Sequence, residues 1–271
     1  MIFQNNRLPC RIWISLQMFI SILIILTLFR IVFFLFFINE MWNLSAENIL
    51  KSFFLGFRFD ARLAVIVILP FLLLSWILSI NGRLFKKMWF SYWILIFSVI
   101  LCFYIVDFGY YSYLNTRLDA SIIGLAKNLF ISASMVWETY PVIPIMLLIA
   151  VIILGFSKWI KQIHSNQTGN IIGNKKSVLI YILSIIIFLG IGYGKWSRYP
   201  LRWSDAFYST NHIANQLAIN PILYFFNTYL WRSESYDMDK VKEYYPFIAK
   251  HLGIINMNDS TYSLKRVIMP T

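Results

Sequence analysis

Five apolar runs divide the chain: residues 12–38, 63–80, 88–106, 141–160 and 178–193. Arg30 is the only charge within these runs apart from Lys158, at the polar end of the fourth. About 20 residues, rising about 1.5 Å each as a helix, cross a hydrocarbon core. Open strands cannot do so, because lipid offers their backbone groups no partner. The runs therefore predict an all-α polytopic membrane protein with five transmembrane helices. Composition agrees: 59% of the chain is hydrophobic and 13% charged, against roughly a quarter charged in soluble domains. The net charge of +12 sits in short basic loops between apolar spans, which argues against a nucleic-acid partner. Cys10 and Cys102 stand far apart in or beside apolar sequence and read as small hydrophobes, with no disulfide or metal site expected.

The first run follows Arg7 and Arg11 and is too long for a cleaved signal peptide, so it is read as a signal anchor. With the N-terminus inside, the inner loops carry Arg7 and Arg11, then Arg83, Lys86 and Lys87, then Lys158, Lys161, Lys175 and Lys176. The longer outer segments carry Lys51, Arg58, Arg62, Arg117 and Lys127. The positive-inside bias selects this threading, although Lys195, Arg198 and Arg202 after the fifth run pull the other way. A multi-pass protein of a bacterial-type cytoplasmic (inner) membrane is expected, N-terminus cytoplasmic and C-terminus extracytoplasmic.

Three regions follow from this reading: a five-helix membrane domain over 1–194, juxtamembrane helices over 195–235, and a linker over 236–271. In the loop from Asp107 to Tyr140, Asp119 is a candidate N-cap, and Ile122, Leu125, Leu129 and Val136 share a helical face. An amphipathic helix lying in the interface and a re-entrant segment both fit. Beyond the fifth run, Trp196, Tyr199, Trp203, Phe207 and Tyr208 alternate with Arg198, Arg202 and Asp205, a mixture suited to headgroup depth. Asn220-Pro221 predicts a capped helix over 221–231, and another is expected over 239–251.

Arg30 inside an apolar run demands a partner. Asp60 and Asp107 are the candidates for structural ion pairing, with lipid or substrate contact as the other reading. Arg58 and Arg62, at i and i+4, share a helix face from which Asp60 is turned away. Asp60 would suit a helix N-terminus, where the macrodipole favours an anion. The two guanidinium groups either anchor the helix at the interface, pairing with Glu40 or Glu47, or hold an anionic phospholipid headgroup through their planar fork of donors. No catalytic constellation is legible. Gly190 to Lys195 lacks phosphate-loop spacing, and His164, His212 and His251 lie on separate segments, so no metal site is expected.

The stretches Gly56 to Asp60 (GFRFD), Asp107 to Ser121 (DFGYYSYLNTRLDAS) and Arg198 to Phe207 (RYPLRWSDAF) together resemble the membrane portion of lipoteichoic-acid-synthase-like proteins, of the alkaline phosphatase/sulfatase superfamily. The resemblance runs from about Arg58 to Gly253. It implies five transmembrane helices, a linker of short helices, and a large extracytoplasmic catalytic domain with a threonine nucleophile and a divalent metal. That domain transfers phosphoglycerol or phosphoethanolamine from a phospholipid, or hydrolyses related esters. No position of this chain inherits the nucleophile or a metal ligand, so no cofactor is expected here. The chain is read as a lipid-presenting membrane anchor, inactive alone, either truncated or partnered by a separately encoded catalytic domain. Arg58, Arg62, Arg117, Arg198 and Arg202 are the residues expected to meet the bilayer's anionic headgroups. The alternative is a self-contained polytopic protein, a small transporter or an assembly partner.

Overall fold

The computed structural model describes residues 10–42, 44–77, 83–125, 134, 136–165, 175–231, 237–254 and 262–264. Among them the protein is all-helical. In chain order the helices are α1 (Cys10–Phe36), α2 (Ile38–Met41), α3 (Ala46–Ile77), α4 (Arg83–Leu114), α5 (Ile122–Leu125), α6 (Val142–Ser165), α7 (Lys175–Tyr193), a 3-10 turn (Trp203–Ala206), α8 (His212–Ala218), α9 (Pro221–Trp231) and α10 (Met238–His251). Four are long and apolar enough to cross a membrane, over Arg11–Phe36, Leu84–Leu114, Val142–Ile163 and Lys176–Tyr193. The chain is a helical membrane protein.

Two expectations about boundaries are corrected. The run expected to begin at Leu63 belongs to a helix that begins at Ala46, so Arg58, Asp60 and Arg62 stand in mid-helix. The N-terminal dipole therefore cannot account for Asp60. Ser45 starts this helix, its Oγ accepting from the Asn48 amide at 3.3 Å. Likewise α4 continues past Val106 to Leu114, which puts Asp107 inside a helix rather than in a loop. Of the interfacial helix expected after Asp119, Ile122–Leu125 is helical and so are residues 136–139; the stretch through Leu129 lies outside the described residues.

Long helices alternate in direction. The start of α4 meets the end of α3 where Tyr92 Oη donates to the Val67 carbonyl at 2.6 Å. The start of α7 meets the same end through Tyr181 and Ser75, 3.4 Å apart. Phe97 of α4 stacks on Phe156 of α6 at 3.9 Å, and Phe29 of α1 on Tyr104 of α4 at 4.5 Å. Arg11, Lys86, Lys87, Lys161 and Lys176 thus gather at one end of the bundle, the basic end. Measured along the helices at about 1.5 Å per residue, Arg30 lies about 28 Å from Arg11 and Asp107 about 30 Å from Lys87. Both stand about one hydrocarbon thickness from the basic end.

At that opposite end α1, α3 and α4 run on, and the segment after α7 packs against them. Phe33, Phe37, Met41 and Tyr111 bury Ala214 and Leu217 of α8. Phe59 of α3 packs with Leu201, Ala206, Ala218 and Ile219. The chain divides into two compact units, Met1–Tyr229 and Leu230–Thr271. In the second, Asp237 caps α10 by accepting from the Asp239 and Lys240 amides, and Tyr245, Ala249, Ile254 and Tyr262 form its small core.

Candidate functional site: a buried charge quartet beneath a basic surface

Arg30 of α1 meets Asp60 of α3 in a two-point contact, Nη2 to Oδ1 at 2.8 Å and Nε to Oδ2 at 3.2 Å. Both side chains are buried, 3% and 0% exposed. The remaining donors of Arg30 are also satisfied. Nη1 donates to the carbonyls of Leu217 and Ile219 at the end of α8, and Nη2 to that of Gly56 at 3.2 Å. The Leu217 and Ile219 carbonyls have no helical partner where α8 stops, so one guanidinium both neutralises Asp60 and caps α8. Gly56 leaves the room: a Cβ there would overlap the guanidinium. The Asp60 carboxylate accepts a third bond at Oδ1, from Asn220 Nδ2 at 2.8 Å. Asn220 caps α9 with its other atom, Oδ1 accepting from the Ile222 and Leu223 amides at 3.1 Å, as its sequence predicts. Its Nδ2 also reaches Tyr104 Oη at 3.3 Å.

Beside this node lies a second buried pair. Arg117 Nη1 is 3.2 Å from Asp107 Oδ2, with the side chains 2% and 0% exposed. The approach lacks hydrogen-bond geometry, so Arg117 Nε and Nη1 and Asp107 Oδ2 are buried without a hydrogen bond. The Arg117 guanidinium instead lies 3.9 Å over the Phe33 ring, a cation–π contact. Burial lowers the Arg117 guanidinium from its ordinary value, with Asp107 opposing that shift. The loop is held through its backbone: Arg117 N–H donates to Gln216 Oε1 at 3.0 Å, Leu118 N–H to Asp107 Oδ1 at 2.9 Å and Ala120 N–H to Thr228 Oγ1 at 3.0 Å. Of the five arginines expected to face headgroups, Arg117 is thus turned inward.

The other four surround the segment that leaves α7. Arg58 Nε donates to the Gly194 carbonyl at 2.7 Å, and Arg62 Nη1 to the Leu201 carbonyl; both side chains are half-buried. Neither pairs with Glu40, whose carboxylate accepts from Tyr111 Oη at 3.2 Å. Gly194, at φ +80°, and the Leu201 N–H to Tyr193 carbonyl bond, 2.9 Å, fold this segment back on the helix end. Lys195 Nζ meets both Asp205 oxygens at 2.7 and 2.8 Å, and the Arg202 amide donates to Asp205 at 2.7 Å. Partial burial would raise the Asp205 carboxyl, but the Lys195 bond and the Arg202 amide hold it below the usual range. Arg198 and Arg202 are exposed, Arg202 lying 4.9 Å over the Tyr199 ring, with Trp196 fully exposed beside them.

Sequence reasoning located Arg30, Asp60 and Asp107 but missed Gly56, Tyr104 and Gln216, and saw Asn220 only as a cap. Asn220-Pro221 was the available signal for that junction; nothing local marks Gln216. No protein-family model, characterised protein or solved structure matches the chain. Among the described residues no three His, Cys, Asp or Glu side chains come together as a metal site.

Proposed function

We propose that this chain is the membrane part of a lipoteichoic-acid-synthase-like enzyme, anchoring it and presenting a phospholipid headgroup to an extracytoplasmic catalytic domain. On this reading α3 is a fifth span, the basic end is cytoplasmic, and Arg58, Arg62, Arg198 and Arg202 with Lys195 form the headgroup surface. The reaction belongs to the catalytic domain, on the same polypeptide or encoded separately; these residues contribute binding and orientation of the lipid phosphate.

What carries the reading is the meeting of the three resembling stretches. Arg58, in the first, donates to Gly194, four residues before the third, and Arg62, just after the first, donates to Leu201 within the third. The second contributes Asp107 and Arg117 to the quartet beneath. The resulting surface holds more guanidinium and ammonium groups than its one carboxylate, Asp205, can balance. It lies at the end of the bundle where the positive-inside bias would not select basic residues. Guanidinium groups take phosphate as a planar fork.

The test uses the purified chain and vesicles of phosphatidylglycerol or phosphatidylcholine. An Arg198→Gln/Arg202→Gln variant leaves the backbone contacts of Arg58 and Arg62 intact. It is expected to lose roughly tenfold or more in affinity for the anionic vesicles, at about 1 kcal/mol per basic residue near such a surface. Equal binding by variant and parent would overturn the reading. A phosphatase fused after Thr271 is expected to be active outside the cell.

A further inference from the structure

A line of hydrogen bonds runs from an exposed imidazole to the less satisfied of the two buried ion pairs. His212, in the first turn of α8, is exposed. Its Nε2 lies 3.0 Å from Gln216 Nε2, one turn on. Gln216 is buried, 3% exposed, and its Oε1 is already taken by the Arg117 N–H. The amide therefore turns its NH2 to the histidine, and His212 Nε2 must accept. Only the neutral ring, with its proton on Nδ1, can do so. At the far end, the Arg117 guanidinium faces Asp107 as a buried ion pair without a hydrogen bond, and the hydrogen bonds that hold its loop come through the backbone amides of Arg117, Leu118 and Ala120.

We infer that the Arg117 loop is a pH-sensitive latch: neutral His212 orients Gln216, Gln216 anchors Arg117 over Asp107, and protonation of His212 releases the anchor. The sign is fixed by the donor count. Imidazolium has no acceptor to offer, so the link is intact while the ring is neutral and is lost when acid protonates it. α8 packs against α1, α2, α3 and the 3-10 turn. Apart from Glu47, the charged groups those elements bring to this end are otherwise committed. Arg30 and Asp60 pair with each other, and Glu40 accepts from Tyr111. Lys51 lies over Tyr208, and Asp205 is held by Lys195. Arg58 and Arg62 donate to backbone carbonyls. Glu47, on the first turn of α3, is exposed. Histidine alone among these residue types ordinarily changes charge between about pH 5.5 and about pH 7.5.

The Arg117 amide reports the anchor directly, and the Ala120 amide, held by Thr228, is its internal reference. Hydrogen exchange of the full chain, corrected for intrinsic rates, is compared at about pH 7.5 and about pH 5.5. Protection at Arg117 is expected to fall by about two- to tenfold relative to Ala120, the loss of one hydrogen bond. The exposed-site variant His212→Ala should exchange at the faster rate at both pH values. A pH-independent Arg117 amide in the parent, or an undiminished pH response in His212→Ala, would overturn the latch.

Discussion

Gly56 of α3 and the guanidinium of Arg30 from α1 occupy adjoining space, so that a methyl group on the first would overlap the second. The glycine is required by a side chain on another helix, not by its own backbone, which is helical. Gly56→Ala is expected to displace Arg30 and leave Asp60 buried without its partner. Breaking a buried pair in this way costs about 3–5 kcal/mol. Thermal unfolding in detergent should show a large fall in midpoint; an unchanged midpoint would mean that the guanidinium has another place to go.

The two buried pairs are expected to respond differently to neutralisation. Arg30 serves Asp60, Gly56 and the end of α8 together. Arg30→Met/Asp60→Leu should therefore remain well below the parent in stability, although milder than Arg30→Met alone. Arg117→Met/Asp107→Asn keeps the acceptor for Leu118 and removes two charges that share no hydrogen bond. It should fall within about 1–2 kcal/mol of the parent, whereas Arg117→Met alone strands Asp107 at a cost of about 3–5 kcal/mol. A double-mutant cycle for each pair measures the difference.

Gly194 has φ +80°, and a Cβ there would lie 2.8 Å from Leu201 Cβ. Gly194→Ala combines about 1–2 kcal/mol of left-handed strain with a clash in the fold-back that Arg58 and Arg62 hold. Faster proteolysis of 194–207, with the membrane helices still protected, is the expected result. Equal digestion of variant and parent would show that the fold-back tolerates a side chain.

Asp205 sets a second, more acidic pH dependence. Its carboxyl is held below the usual range by Lys195 and the Arg202 amide. A depressed folded value means stabilisation that is present above the unfolded carboxyl's range and lost as pH falls through the lowered value. Exchange at the Arg202 amide should stay slow through the ordinary carboxylate range and rise only below it. The partly exposed pair is worth at most about 1 kcal/mol, so Asp205→Asn should speed that exchange a few-fold at neutral pH. A rise already near about pH 6 would contradict the assigned partners.

Helix class and membrane character were legible because lipid leaves the backbone no choice: long apolar runs must satisfy their hydrogen bonds within themselves. The Asn220 cap and the helix after it were legible for a similarly local reason. The start of α3 was not, since residues 46–62 mix polar and apolar side chains and an apolar-run reading stops at Leu63. Ser45 followed by Ala46 and Glu47 was the missed signal.

From the sequence alone came the need to pair Arg30 and two carboxylates within reach of it. Which carboxylate it takes was decided only by packing. α3 turns Asp60 toward α1 and α8 while Arg58 and Arg62 face the chain leaving α7, and the extension of α4 brings Asp107 under Arg117. Charge choice in a bundle depends on rotation and offset between helices distant in sequence, and no local pattern encodes them. The same packing withdrew Arg117 from the surface and brought Gly56, Gln216 and Asn220 to the quartet.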